Sequence, residues 1–214
     1  MDTEEYLAEA VKAYRCLPGK ISVSDAIEAV TGQKVIPLTS GDEDRLLLDR
    51  ISAAAAALIR QSANTPIRTT RLNELGNAIE EPLLAACRAV GLDASWPRRR
   101  DGSGGRTGYP DIAIDVPGPR PTYLEAKVIG GGKEASSFRS FYLSPSENPK
   151  VCVDARHLLI GFVHKRQPDA DGWERYSLLS YKIVDMSRVS GKIKFEYQSS
   201  NKDMYLGASV VGRG

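Results

Sequence analysis

The chain has 214 residues, 42% apolar and 26% charged, with a net charge of +2. That balance suits a soluble globular protein of one large domain, or a core with a helical annex. The mild positive charge leaves any nucleic-acid footprint to local clustering. Three widely spaced cysteines (Cys16, Cys87, Cys152), with no C-x-x-C pairing, exclude a disulfide frame or zinc site and read as small core residues. No apolar run reaches the eighteen or so residues of a membrane span, and the acidic start lacks a signal peptide's apolar stretch. The expectation is a soluble cytoplasmic protein.

In chain order, Tyr6, Leu7, Ala10, Val11 and Tyr14 predict an amphipathic helix over 3–16. "SVSDAIEAVTG" predicts a short helix with a serine cap and a glycine stop, and "DEDRLLLDRISAAAAALIRQSAN" a long one. Another helix is expected over 71–92, with Leu72, Leu75, Ile79, Leu83, Leu84, Cys87 and Val90 on one stripe and a kink or second start at Pro82. "WPRRRDGSGGRTGYP" (96–110) loses all periodicity and reads as a mobile loop. Alternation then predicts strands at 111–116 and 122–129, joined by "PGPRP". A Gly/Ser-rich loop follows over 130–148. "VCVDARHLLIGFVHKR", "WERYSLLSYKIVDM" and "KIKFEYQ" read as later strands, and His157 and His164 as core or sheet-edge residues. Helices first and strands later indicate a mixed α+β or α/β fold with a mixed central sheet. The division expected is an N-terminal helical region over 1–70, for subunit or ligand contacts, and a core over 71–214.

The hairpin carries the chemistry. With "PGPRP" as the bend, Val116 pairs with Thr122, so Ala113 lies opposite Glu125 and Asp111 opposite Lys127. Side chains alternate faces along a strand, which puts Ile112, Ile114, Val116, Leu124, Ala126 and Val128 on a core face. Asp111, Ala113, Asp115, Tyr123, Glu125 and Lys127 share the other. A solvated outer face is the simple reading of such charges. The competing reading is a metal site. Two carboxylates roughly 4–6 Å apart repel unless a hard cation lies between them, and Mg²⁺ takes one or two carboxylates plus waters and substrate oxygens. Asp115 sits nearer the bend, away from this cluster.

"YPD" at 109–111 with "YLEAKVI" at 123–129 resembles the PD-(D/E)XK nuclease superfamily, and within it type II restriction endonucleases. "GNAIEEPLLAAC" (76–87) is similar to the helix that often supplies a third acid there. Glu80, at the edge of the buried stripe, is the better candidate than Glu81. The stretch 130–166 resembles the part of some blunt-cutting enzymes that runs from the catalytic lysine through a recognition loop to a core strand.

The resemblance implies a restriction-endonuclease-like mixed sheet flanked by helices. It implies Mg²⁺-dependent hydrolysis of double-stranded DNA, leaving 5′-phosphate and 3′-hydroxyl ends, with Mn²⁺ able to substitute. Asp111 and Glu125 would ligate the metal, with Ala126 between the motif residues and Glu80 as a further ligand. Lys127 would position or activate the water. A homodimer acting on a short palindrome is expected, since two-fold DNA invites two-fold protein. DNA contacts are expected from Arg98, Arg99, Arg100 and Arg106 on the glycine-rich loop. Lys133, Ser136, Ser137, Arg139, Ser140 and Lys150 on the following loop are expected to add to them. A repair nuclease, junction resolvase, exonuclease or non-catalytic DNA-binding domain remain the alternatives.

Overall fold

The computed structural model describes residues 2–116, 118–132, 141–143, 145–194, 200–206, 208 and 210–212. The chain forms two compact units, one of Met1–Ile21 with Ser190–Gly214 and one of Ser22–Val189. In the smaller unit, helix α1 (Thr3–Arg15) is capped by Asp2, whose carboxylate accepts the Glu5 amide at 2.8 Å. Glu4 and Glu5 in its first turn and Lys12 and Arg15 in its last complement the helix dipole. None of its residues is fully buried: of the apolar stripe predicted there, Tyr6 and Leu7 are exposed and Ala10, Val11 and Tyr14 are half-buried.

The larger unit holds the sheet. Helix α2 (Val23–Thr31) has the serine cap and glycine stop its sequence predicts. Ser22 Oγ accepts the Asp25 amide, and Gly32 takes the left-handed conformation at φ 75° that glycine adopts most readily. Helix α3 (Asp42–Asn64) buries Ile51, Ala54, Ala55 and Leu58 at helical spacing. Helix α4 (Glu74–Ala89) buries Leu75, Ile79, Leu83, Leu84 and Cys87. Each large aliphatic side chain so buried contributes ~2 kcal/mol. The predicted start at 71 gives way to Glu74 because that carboxylate accepts the Thr70 and Arg71 amides, folding 70–73 into a turn and leaving Leu72 exposed. The helix runs through Pro82 without a second start. Because α3 belongs to the same unit as the sheet, the boundary expected at residue 70 falls inside that unit.

Six strands form one mixed sheet: β1 (Ile67–Thr69), β2 (Ala94–Ser95), β3 (Ile112–Ile114), β4 (Thr122–Gly130), β5 (Arg156–Pro168) and β6 (Glu174–Asp185). Their order is β1-β6-β5-β4-β3-β2, with β4 and β5 parallel and every other pair antiparallel. One core joins α3 and α4 to Ile112, Ile114, Leu124, Ala126, Leu158, Ile160 and Phe162. A second, smaller core gathers Ile27 of α2 with Ala113, Tyr123, Val151 and Ala155. Both faces of the β3–β4 hairpin are therefore covered. The solvated face that alternation alone would allow does not exist at Ala113 or Tyr123.

The hairpin register also differs from the expected one. Ile112 pairs with Leu124, Ala113 with Tyr123 and Ile114 with Thr122, a slip of two residues that preserves which side chains share a face. Asp115 is the cause. It adopts φ 53°, its amide donates to Asp93 O, and its carboxylate accepts the Arg120 amide at 2.8 Å. The strand thus ends at Ile114 and the connection is longer than "PGPRP". Of "KIKFEYQ", residues 192–194 lie outside any strand and the rest fall outside the described residues. Cys87 and both histidines are buried, whereas Cys16 is exposed. Among the described residues no helix is long and apolar enough to cross a membrane.

Candidate active site

The long strand β4 outruns its neighbour β3, which pairs only with Thr122–Leu124. Beyond that point the edge of β4 is met by a side chain. Asp111 Oδ2 accepts the Ala126 amide at 2.8 Å, and the register continued by one residue sets Asp111 opposite Glu125. The parallel partner β5 holds the other edge, with Glu125 beside Leu159 and Lys127 beside Gly161. Three motif residues are thereby gathered on one wall of an open cleft.

Glu125 is only 5% exposed. Its Oε1 accepts the Lys127 ammonium, and its Oε2 is buried with no hydrogen-bond partner among the described residues. Burial pushes the Glu125 carboxyl up to about 7, Asp111 adds to the rise, and Lys127 opposes it. Glu80 of α4 faces the same cleft and is buried, whereas Glu81 is exposed. Burial, then the charge of Asp111, raise the Glu80 carboxyl, with Arg106 and Lys150 pulling the other way. Two buried acids, Glu80 and Glu125, thus face the cleft together with half-buried Asp111. Its volume of ≈ 1730 Å³ exceeds the roughly 300–1,000 Å³ of a small-molecule pocket, and Glu80, Arg106, Asp111, Glu125 and Lys127 all line it.

These residues fit a divalent cation in a particular way. Among the described residues no three acidic, histidine or cysteine side chains are grouped closely enough to cage an ion. Asp111 and Glu125 supply two carboxylates and one unpartnered oxygen, which is the sparse protein share that Mg²⁺ accepts when water and phosphate fill its other positions. Glu80 is engaged by a loop arginine. Its carboxylate lies 3.5 Å from the Arg106 guanidinium, which also approaches Glu81 at 3.9 Å and stacks over the Trp96 ring at 4.6 Å.

The loop over 96–110 is docked rather than free. Arg99 N donates to Ser103 O, Arg100 N to Pro149 O, and Asn148 binds the Asp101 carboxylate at 2.7 Å. Arg98 and Arg106 are exposed, Arg99 is half-buried, and the Arg100 guanidinium reaches Thr31 O at 3.4 Å. Lys150, expected on a DNA-facing loop, is instead 5% exposed, its ammonium donating to Gly108 O at 2.7 Å and Pro110 O at 3.0 Å. Lys133, Ser136, Ser137, Arg139 and Ser140 lie outside the described residues. Sequence reasoning passed over the Trp96 platform and the Tyr109 hydroxyl paired with His157 Nδ1. The faint signal was a tryptophan at the mouth of an arginine loop.

The chain was compared with known proteins. A family model, the type II restriction enzyme MjaV family, matches residues 18–208. The type II restriction enzyme MjaV of Methanocaldococcus jannaschii is 33% identical over 225 residues, covering 96% of this chain and 95% of that protein. No solved structure matches. With the family model spanning most of the chain and a relative matched nearly end to end, the chain belongs to the type II restriction enzyme MjaV family.

Proposed function

We propose that this restriction endonuclease hydrolyses phosphodiester bonds of double-stranded DNA in a Mg²⁺-dependent reaction, as a PD-(D/E)XK nuclease on a restriction-endonuclease-like fold. The observation that carries this reading is Glu125, a buried carboxylate with one oxygen on Lys127 and the other without a partner, set beside Asp111. A buried carboxylate oxygen left without a partner is costly, and a divalent cation at that oxygen would satisfy it.

Asp111 and Glu125 hold the ion, with the Ala126 carbonyl completing the protein's share. Bound there, Mg²⁺ supplies a Lewis acid that offsets charge on the scissile phosphate and lowers the pKa of water. Lys127 is held by Glu125 at the mouth of the buried pair, where its ammonium orients the attacking water and faces the phosphate's developing charge. Glu80 serves at a distance, as an outer or second-ion ligand once Arg106 leaves it. Arg106, Arg98 and Arg99 offer guanidinium groups to phosphates around the cleft. Attack by water leaves a 5′-phosphate and a 3′-hydroxyl. Mn²⁺ substitutes for Mg²⁺, and two copies of the chain act on the two strands of a short palindrome.

The test is incubation with phage-sized duplex DNA in Mg²⁺ or EDTA, followed by sequencing of the ends. Discrete fragments sharing one short terminal sequence, with 5′-phosphates and only in Mg²⁺, are expected. Ladders from free ends, cutting only of branched DNA, or equal cutting in EDTA would overturn it.

A further inference from the structure

Lys150 is the one buried lysine among the described residues, and it sits under the active-site turn. Its ammonium donates to the carbonyls of Gly108 and Pro110, the first and third residues of the Gly108–Asp111 turn. Gly108 takes φ 82°, so the chain enters the turn in a conformation only glycine adopts freely, and its carbonyl is turned inward. Two further ties hold the same four residues. The Tyr109 hydroxyl bonds His157 Nδ1 on β5, and Asp111 Oδ2 accepts the Ala126 amide on β4. Lys150 is the tie that acts on the backbone itself. It also places a positive charge beneath Asp111, Glu125 and Glu80 without forming an ion pair with any of them.

We propose that Lys150 is a positioning residue for the metal site: its buried ammonium clamps the carbonyls of Gly108 and Pro110 and so fixes the turn from which Asp111 reaches β4. This rests on the metal-dependent reading above. An ammonium suits the task because it offers three donors from one point and can grip two carbonyls while its charge offsets neighbouring acids. A buried lysine so engaged cannot reach a DNA phosphate, which separates this role from that of a surface lysine on the same loop. Loss of a group that orients a metal ligand ordinarily weakens metal affinity by about 10- to 100-fold.

The experiment begins with two controls. Wild-type cleavage in Mg²⁺ and its loss in EDTA establish the metal-dependent reading, and failure of either sinks that reading rather than this one. Lys150→Met, Lys150→Gln and Lys150→Arg are then compared in three measurements. These are Mn²⁺ binding to the DNA-free protein by calorimetry, the Mg²⁺ dependence of cleavage, and duplex binding in EDTA over a salt series. Expected for Met and Gln are Mn²⁺ affinity and half-saturating Mg²⁺ worse by about 10- to 100-fold, a lower kcat, and an unchanged KM for DNA at saturating Mg²⁺. DNA affinity in EDTA and its salt slope should match wild type. Arg, which keeps the charge and donors, should recover part of the metal affinity, and it carries the test if the neutral variants fail to fold. Unchanged metal affinity in a folded variant overturns the proposal. So does a salt slope reduced by about one with metal affinity intact, which would make Lys150 a phosphate contact.

Discussion

Asp111 Oδ2 accepts the Ala126 amide at 2.8 Å, doing with a side chain what the backbone of β3 no longer does. Continued, the β3–β4 register would bring Pro110 level with Ala126, and proline belongs here to a turn rather than a ladder. The edge of β4 is thus satisfied by one oxygen of a carboxylate whose negative charge is still available to a cation. On the proposed reading, structure and chemistry share one group.

That sharing predicts a separation of stability from activity at Asp111. In Asp111→Asn the side-chain carbonyl still accepts the Ala126 amide, so the urea midpoint should stay near wild type. Cleavage should nevertheless fall by on the order of 10²–10³, the loss of several kcal/mol of charge stabilisation. Asp111→Ala should lose activity and also ~1–2 kcal/mol of stability, because a buried amide is left without a partner. Equal stability of the Asn and Ala variants would show that the bond to Ala126 contributes nothing.

Lys127 should behave differently again. Its ammonium lies on Glu125 Oε1 and its side chain is about a quarter exposed, which ties it only lightly to the fold. Lys127→Ala is expected to abolish cleavage while specific duplex binding, measured by gel shift in Ca²⁺, stays within a few-fold of wild type. Near-normal cleavage by this variant in Mg²⁺ would remove Lys127 from the mechanism.

Much of this site could be read in the chain, and the rest could not for physical reasons. Parity along β3 and β4 put Asp111, Glu125 and Lys127 on one face, and parity survives a two-residue slip. Register did not survive, because Asp115 at φ 53° ends β3 early, and a non-glycine residue gives no warning of positive φ. The helical wheel of 71–92 separated buried Glu80 from exposed Glu81. It could not show that Arg106, far along the chain, lies against both. Ala113 and Tyr123 looked like an outer face because alternation reports which residues share a face, not what covers it; Ile27, Val151 and Ala155 do. Lys150 was misplaced for the same reason, since a lone lysine in a polar loop gives no sign of the carbonyls it will meet.

Arg106 couples the acidic cleft to the basic loop. In the free protein its guanidinium rests on Trp96 and on Glu80 and Glu81. On the proposed reading, in which Arg106 meets phosphate, DNA competes with those acids for it. Arg106→Ala should weaken binding about equally on cognate and non-cognate duplexes and lower the salt slope by about one. Glu80→Gln with Glu81→Gln should do the reverse in EDTA, tightening binding a few-fold as repulsion falls and Arg106 is freed. Weaker binding by that double variant would show that the acids orient Arg106 toward DNA rather than hold it back.

His157 gives the protein an acid-sensitive core. The ring is fully buried on β5, lies against Tyr109 and Tyr123, and has its Nδ1 on the Tyr109 hydroxyl while Nε2 lacks a partner among the described residues. Burial lowers its pKa to about 4, against about 6.5 in an unfolded chain. Above pH 6.5 both states are neutral there and the histidine adds no pH dependence. As pH falls through 6.5 the unfolded chain takes up a proton that the folded one refuses, so stability is lost progressively until about pH 4. The full loss is ~3 kcal/mol. Carboxylates contribute their own slopes, so the comparison that isolates His157 is wild type against His157→Asn, whose amide can still meet the Tyr109 hydroxyl. Urea unfolding at a series of pH values should show wild type losing stability more steeply than the variant between pH 6.5 and 4.5, with parallel curves above pH 7. Parallel curves across the whole range would mean that the imidazole is protonated in the fold and that its burial carries no penalty.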